Sequence, residues 1–400
     1  MLWCGIRSLW AGAVSGLGMA VVISLLMPRP ALSDDSKPEL PRLIYAGFAF
    51  SGDYENRREL YPYSAEIAAE SSGQLLDTVL REKLLARPAL AQRVSLGVSD
   101  GKTSMSSLAF ALVQESAETQ RIDGKYWEIV TLQANVLAFE RESRSVVASY
   151  PFRMRFSHVL DSPPTQDDVK SIIRRAYTAG DRSENIFDQW LDRFEKVRIR
   201  NGAKRFLRVT DVSLSPEAEH IIRDAGKSPA AIRNQVANFL EASVAEGTGV
   251  PLVPNSVGEA IGSKMAYRFA NGDSFQLALP EPDFALTFLV RDFVSKTIEE
   301  PAYFQDIFRV KGTIALKQPD TNRVVLDENI YDTLIVTRPK RSDVQITNWD
   351  QYFKVLQGLI VSVGKEMNSV QETWLKENAS RGSEAKSAFM QAQKLMSALK

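Results

Sequence analysis

The 400-residue sequence is poor in the residues that most often carry catalysis or metal binding. It contains a single cysteine, Cys4, and only two histidines, His158 and His220, which lie far apart in the chain. Nucleophilic catalysis needs a nucleophile beside a base, and zinc sites need clustered histidine or cysteine ligands. No glycine-rich loop has the spacing of a phosphate-binding motif. We therefore predict no catalytic residues, no metal site and no cofactor.

The chain also lacks an excess of charge of either sign. Lysine plus arginine and aspartate plus glutamate both number 49, so the formal net charge is zero. Proteins that bind nucleic acid non-specifically carry a basic patch or a strong net positive charge. The balance predicts no nucleic-acid partner.

The first 33 residues are typical of an export signal. Arg7 precedes the uncharged hydrophobic run Leu9–Met27, and Ala31-Leu32-Ser33 provides small residues before Asp34. This order predicts a secretory signal peptide cleaved before Asp34. The alternative is an uncleaved anchor that associates with the membrane through residues 9–27, because the run approaches the length that spans a bilayer. Both interpretations place the chain in the periplasm or on the outer side of the inner membrane.

Cleavage would leave a mature protein without cysteine and therefore without disulfides. Cys4 lies before the hydrophobic run, which is not the position of a lipoprotein cysteine. Residues 34–41 are polar, contain proline, and are predicted to be a linker.

Three consecutive segments alternate apolar and polar residues with a period of two, which predicts strands. The predicted strands are Leu108–Gln114, Ile129–Phe139 and Val146–Phe156. In the second of them, Thr131, Gln133 and Asn135 alternate with apolar residues. We expect this polar set to face water, as in a half-buried antiparallel sheet.

The same arrangement occurs a second time. Phe284–Asp292, Ile307–Lys317 and Val324–Val336 repeat the three strands, and Trp374-Leu375 near the end of this part matches Trp190-Leu191 near the end of the first. In each part a strand, a helix and a short strand precede the three-stranded stretch, and a helix follows it. This order predicts an α/β (α+β) protein of two tandem similar domains, residues 42–200 and 201–378, each with a mixed sheet and helices mainly on one face.

The order of elements resembles a family of bacterial envelope domains. Leu43–Phe50, Leu75–Leu85, Val94–Val98, the strands within Leu108–Phe156 and Val169–Ala176 follow one another as in the amino-terminal α/β domain of the translocation protein TolB. The order is also similar to the curli-secretion lipoprotein and to the lipoprotein activators of penicillin-binding proteins. The Gly-Ala-Asp that often precedes the central strand in that family is absent. The resemblance implies binding to other proteins rather than catalysis, because those relatives are not enzymes.

Two segments are candidate partner-binding surfaces. The first, Tyr54–Tyr63, is predicted to be a loop and contains Tyr54, Arg57, Arg58, Tyr61 and Tyr63. Tyrosine and arginine are enriched at binding hot spots. The alternative is that its aromatic side chains fold back on their own domain.

The second candidate is the tail, residues 379–400, in which Phe389 and Met396 belong to one apolar stripe of a short amphipathic helix. It is either a docking helix for a partner or a helix that packs on its own domain.

The sequence thus predicts an exported, non-enzymatic accessory protein of the bacterial cell envelope, with partners among the proteins of an envelope or secretion assembly. An exported hydrolase with an unrecognised serine or carboxylate site, and a small-molecule binding module, remain the alternatives.

Overall fold

The computed structural model describes residues 43–52, 54, 57–70, 74–96, 106–122, 124–197, 199, 205–255, 264–269, 272–340 and 347–400. The predicted signal segment, 1–33, and the linker, 34–41, lie outside these residues. No helix within the described ranges combines the length and the apolar character needed to cross a membrane.

The first half of the described chain supplies strands β1–β5 and helices α1–α6. The strands are β1 Leu43–Ser51, β2 Val94–Ser95, β3 Ser107–Ile122, β4 Lys125–Glu140 and β5 Ser145–Leu160. The helices are α1 Arg57–Leu60, α2 Pro62–Glu70, α3 Gln74–Leu85, α4 Pro88–Ala91, α5 Gln166–Thr178 and α6 Ile186–Lys196.

The second half supplies strands β6–β12 and helices α7–α11. The strands are β6 Leu207–Leu214, β7 Leu252–Val253, β8 Lys264–Phe269, β9 Ser274–Ala278, β10 Phe284–Glu299, β11 Tyr303–Gln318 and β12 Arg323–Pro339. The helices are α7 Pro216–Asp224, α8 Pro229–Thr248, α9 Asn348–Glu366, α10 Glu372–Asn378 and α11 Lys386–Leu399.

One strand-pairing scheme occurs in both halves. Strand β1 is parallel to β2 and β3, and β3, β4 and β5 form an antiparallel run. In the same way β6 is parallel to β7 and β10, and β10, β11 and β12 form an antiparallel run. The mixed α/β fold predicted from the sequence is confirmed.

The two halves share one sheet. Strand β5 pairs with β7 at Ser149 and Leu252, which joins both runs in a single twelve-stranded sheet. Residues 40–400 form one compact unit. A division into two separate domains is therefore not confirmed.

The polar face of β4 is buried rather than in water, which corrects the expectation from the alternating pattern. Thr131, Gln133 and Asn135 are all buried. Their neighbour on β3, Gln114, accepts a hydrogen bond from Asn238 Nδ2 of α8 at 3.1 Å. A helix of the second half therefore covers this face, while the helices of the first half cover the opposite one. The two halves hold their helices on opposite faces of the shared sheet.

The β8–β9 hairpin, which the sequence did not predict, covers the rest of this face. Strand β8 pairs with β1, and Ala278 of β9 pairs with Ser145 of β5, so that β1, β3, β4, β5, β9 and β8 form a closed ring of strands. Leu137 and Phe139 of β4 lie inside this ring with Tyr267 and Phe269 of β8. These residues form an apolar core contributed by both halves.

Several predicted boundaries differ from the structure. Strands β3, β4 and β5 each have 16 residues and extend beyond their predicted ends. Residues 65–86, whose apolar residues recur at helical spacing, belong to two helices, α2 and α3, and the small polar residues Ser71-Ser72-Gly73 separate them in the sequence. The stretch after the second three-stranded run, expected to contain one helix, likewise holds two, α9 and α10, and helix α7 was not predicted.

Helix α5 has a capped N-terminus. Thr165 Oγ1 accepts a hydrogen bond from the Asp168 backbone N–H at 3.2 Å, and the Asp168 carboxylate accepts one from the Thr165 backbone N–H at 2.9 Å. This reciprocal pair is a capping box.

Candidate functional site

Tyr54 is partly exposed and lies close to two guanidinium groups. The Cζ atoms of Arg57 and Arg268 lie 5.1 Å and 5.0 Å from the centre of the Tyr54 ring. Arg57 Nη1 also donates a hydrogen bond to the Tyr54 carbonyl at 3.2 Å. Two of the predicted binding residues are therefore brought together, and Arg268 joins them from the hairpin that the sequence did not reveal. Arg58 is exposed on the same turn of helix.

Tyr61 and Tyr63 are placed differently from this pair. The segment predicted to be a loop contains α1 and the start of α2. Tyr61 is fully buried, with its ring centre 4.6 Å from that of Phe50, and its hydroxyl donates to the Ser51 carbonyl at 3.2 Å. Tyr61 therefore belongs to the core and is not presented to a partner. Tyr63 is half-buried, and its backbone N–H donates to the carboxylate of Glu115.

Phe389 and Met396 are both buried, which corrects the docking interpretation for these side chains. They belong to the core of the second half, and the Phe389 ring lies 6.1 Å from that of Trp374. Helix α11 packs on the structure of its own chain, as the alternative interpretation of the tail proposed. Its outward residues include the exposed Met390.

Glu115 is the centre of a buried polar network that the sequence did not single out. Its carboxylate accepts hydrogen bonds from the backbone N–H of Ser64 at 3.1 and 3.2 Å and from the Ser64 hydroxyl. The Ser64 and Tyr177 hydroxyls lie 2.7 Å apart. Burial raises the pKa of Glu115 from its ordinary 4.5 to about 7, although the hydrogen bonds from Ser64 and Tyr63 oppose the rise.

The Glu115 network ties the first turn of α2 to β3. A carboxylate that accepts backbone N–H groups at a helix N-terminus satisfies donors that have no partner within the helix. Glu115, Ser64 and Tyr177 are all buried, so this arrangement does not present the Ser64 hydroxyl to a substrate. We read the network as an anchor for the Tyr54–Tyr63 segment.

A second buried carboxyl, Glu241 of α8, lies where the two halves meet. Its Oε2 accepts a hydrogen bond from Asn255 Nδ2 at 3.0 Å, and the same nitrogen donates to Asn238 Oδ1 at 2.8 Å. Burial raises the pKa of Glu241 to about 8, and the Asn255 hydrogen bonds and the Arg208 charge lower it by less.

Glu241 Oε1 and Asn135 Oδ1 have no hydrogen-bond partner, and both residues line a cavity of about 20 Å³. A cavity of that volume holds about one water molecule. This volume is far below the several hundred Å³ of a typical ligand pocket.

The outer ends of the two antiparallel runs are a third feature. We define the first outer end as residues 119–122, 125–128 and 157–160, and the second as residues 294–299, 303–307 and 334–339. Five of the nine large hydrophobic residues that are exposed in the described chain lie there, namely Ile122, Val159, Val294, Tyr303 and Ile335. Apolar side chains grouped at exposed strand ends are typical of protein-binding surfaces.

The described part of the chain contains no cluster of side chains suited to binding a metal ion. No three histidine, cysteine, aspartate or glutamate side chains gather there in a group that could hold a metal ion. His220 Nδ1 lies 3.1 Å from Asp224 on the exposed side of α7, and His158 is exposed on β5.

One sequence pattern was missed. Gly97-Val98-Ser99-Asp100-Gly101 has the Gly-x-Ser-x-Gly spacing of a hydrolase nucleophile turn. That turn normally joins a strand to a helix, whereas here β2 precedes the pattern and β3 follows it. Residues 97–101 themselves lie outside the described residues.

Comparisons with known proteins place the chain in no family. No family model matches it, and no curated protein matches it. A crystal structure of a Xanthomonas campestris protein of family DUF330 is 16% identical and covers 47% of this chain and 88% of that one, with a TM-score of 0.20. An NTF2-like protein involved in plasmid conjugation is 10% identical and covers 60% of this chain and 81% of that one, with a TM-score of 0.08. A TolB-like domain is therefore not confirmed.

Proposed function

We propose that the chain is an exported, non-enzymatic accessory protein of the bacterial cell envelope that binds partner proteins of an envelope or secretion assembly. The observation that carries the proposal is the grouping of exposed hydrophobic side chains at the two outer ends. Strand ends that extend past the covering helices leave backbone and apolar groups available for another protein. The sequence pattern of residues 1–33 supports export.

The surface around Tyr54 supports the same function. Two guanidinium groups lie within 5.1 Å of the centre of the Tyr54 ring. Tyrosine and arginine dominate the energetics of many interfaces. The anchor at Glu115 holds α2 beside this surface, because Ser64 and Tyr63 are bound to β3 through it. The partner-binding residues in this proposal are Tyr54, Arg57, Arg58 and the exposed residues of the outer ends.

Site-specific photo-crosslinking in cells tests the proposal. A photoreactive amino acid is placed at Ile122 or at Val159, in the first outer end. The control position is Leu85 on α3, which is 48% exposed and thus comparable with Val159 at 46%. We expect adducts of discrete mass from the outer end and none from Leu85. Equal labelling at all three positions, or no discrete adduct at either outer-end position, would contradict the proposal.

The hydrolase alternative has its own test. Purified protein is assayed with generic esters and peptides beside a Ser99→Ala variant and a Ser64→Ala variant. Turnover that one of these substitutions abolishes would replace the binding function with catalysis. We expect no turnover above background from any of the three proteins.

A further inference from the structure

Strand β12 is an edge of the sheet, and only part of that edge is covered. The segment after α10 covers the middle of the strand: Ser380 N–H donates to the Asn329 carbonyl at 2.8 Å, and Ala379 pairs with Ile330. Arg381 fixes this segment through an ion pair with the buried Glu328 at 2.5 Å. Beyond Ile330, within the residues that the structure describes, β12 pairs with β11 alone.

The uncovered part of the edge has a symmetric sequence. Asp332-Thr-Leu-Ile-Val-Thr-Arg338 is centred on Ile335. If a second copy of the strand lies antiparallel with its Ile335 opposite Ile335, then Thr333 lies opposite Thr337 and Leu334 opposite Val336. Asp332 then lies opposite Arg338, which pairs opposite charges at both ends. Cross-strand pairs of these kinds are stabilising.

We propose that this edge is a self-association surface whose occupant is β12 of a second copy of the chain, related by a two-fold axis through Ile335. The pairing is isologous, since the same residues contribute from both copies. It would join the two sheets into one continuous sheet. The inference deepens the proposed function, on which it rests, because it names the occupant of one of the two outer ends.

The backbone geometry fits this register. Asn329 directs its carbonyl away from β11, toward Ser380. Residues at intervals of two in a strand direct their backbone polar groups to the same side, and β12 has no irregularity between Asn329 and Thr337. Thr333, Ile335 and Thr337 therefore direct their N–H and C=O groups outward, where the register places each opposite an outward-directed residue.

The limits of the pairing are also symmetric. The covering segment ends the free edge at Ile330, and the residue that the register places opposite Ile330 is Lys340. Pro339 lies next to Lys340 and has no N–H to donate, so the free edge ends there as well. Within these limits the seven residues Asp332–Arg338 contain the exposed Ile335, whose side chain would be covered by its own counterpart.

In a single chain, one backbone N–H of the free edge already has a hydrogen-bond partner. The Thr333 backbone N–H donates to the Asp332 carboxylate at 2.8 Å. In the single chain the Arg338 guanidinium forms an ion pair with Asp306 at 2.6 Å. In the paired register Arg338 and Thr337 of the second copy lie opposite Asp332 and Thr333. The intermolecular contacts therefore replace an interaction local to Asp332 and Thr333.

Analytical ultracentrifugation over a concentration series tests the proposal on the chain as the cell exports it. We expect a reversible dimer. Ile335→Lys places two like charges at the axis and raises the dissociation constant by on the order of tenfold or more. The control is Val324→Lys, because Val324 is on the same strand and 49% exposed, close to the 54% of Ile335, but lies off the axis. A monomer at every concentration, or a dimer equally stable in Ile335→Lys, would overturn the proposal.

Disulfide formation tests the register itself. Ile335→Cys is expected to form an intermolecular disulfide on mild oxidation, because opposed residues of a hydrogen-bonded antiparallel pair have Cα atoms about 5.5 Å apart. Cys4→Ser is the background wherever the chain retains residues 1–33. Val324→Cys is expected to stay reduced. Equal crosslinking of both variants would refute the register. If self-association fails while Ile122 and Val159 still give partner adducts, this inference falls and the proposed function stands.

Discussion

At the scale of single residues, the protonation of two buried carboxyls, Glu115 and Glu241, couples the stability of the fold to pH. Each is held by a small number of polar neighbours and has a pKa raised by burial. Neither was found from the sequence, because a glutamate in a strand or helix is usually exposed and its position shows no unusual neighbours. The Ser64 and Asn255 that bind them are 51 and 14 residues away along the chain.

Glu115 should give the protein a defined dependence of stability on pH. Its pKa is about 7 in the folded chain and near its ordinary 4.5 when unfolded, so between these values the folded state binds more protons. The free energy of unfolding therefore falls as pH rises from 4.5 to 7, by up to roughly 3 kcal/mol. We predict that Glu115→Gln removes this decrease in the free energy of unfolding with pH. Urea titrations at pH 4.5, 6 and 7.5 measure it.

The control for this prediction is Glu142→Gln, in the exposed turn between β4 and β5, which removes the same charge. The free energy of unfolding of this variant should depend on pH as it does in the unsubstituted protein. Glu241→Gln should reduce the decrease in the free energy of unfolding that continues toward pH 8. An unchanged slope in both Glu115→Gln and Glu241→Gln would show that these carboxyls are not buried as described.

At the scale of elements, the sequence predicted more of the strands than of their surroundings. Alternation in β4 located the strand and the apolar set that contacts the first-half helices, because that set is continuous from Val130 to Ala138. It could not show that Thr131, Gln133 and Asn135 are also buried. A strand alternates polar and apolar residues in the same way whether its polar side chains face water or the polar face of a helix.

The β8–β9 hairpin was missed for a related reason. Its strands have six and five residues, in the lower part of the range of about four to eight residues over which a period of two indicates a strand. Its position over the first half depends on contacts between residues more than 200 apart, such as Ser51 and Met265. The Arg268 that completes the Tyr54 surface could not be predicted because it is carried by this hairpin.

Helices α8 and α9 cross at a pair of glycines, which leads to a prediction at this scale. A Cβ atom added at Gly364 would collide with the Ser243 carbonyl of α8, and one added at Gly247 would collide with the Gly364 carbonyl. We predict that Gly364→Ala lowers the free energy of unfolding by about 1–3 kcal/mol, because the helices must separate. Urea denaturation measures the change as a lower midpoint.

Gly358→Ala is the matched control on the same helix. Its Cβ would lie at an ordinary contact distance, 3.4 Å, from Asp332 Oδ2. It should be neutral or stabilising by up to about 1 kcal/mol, since alanine favours helix over glycine. If Gly358→Ala lowered the free energy of unfolding as much as Gly364→Ala, the loss could not be assigned to the crossing of the two helices.

At the scale of the whole molecule, the two similar halves are interlocked. Each has the same strand pairing, yet the face of β3–β5 opposite its own helices is covered by α8 and by the β8–β9 hairpin. The corresponding face of β10–β12 carries the exposed Val294, Tyr303 and Ile335. The order of elements predicted the repeat, but a repeat in sequence does not reveal whether its units fold separately.

This arrangement predicts that the halves do not fold alone. A chain that ends at residue 200 would expose Ala109, Leu137 and Phe139, which lie in the core shared with β8 and β9. A chain that begins at residue 201 would leave β8 without β1 and β7 without β5. We expect each piece to be insoluble or to lack a cooperative thermal transition, and the two expressed together to form a soluble complex. The whole chain should unfold in one transition, because the sheet and the shared core connect its halves. Two pieces that each unfold cooperatively on their own would establish two independent domains.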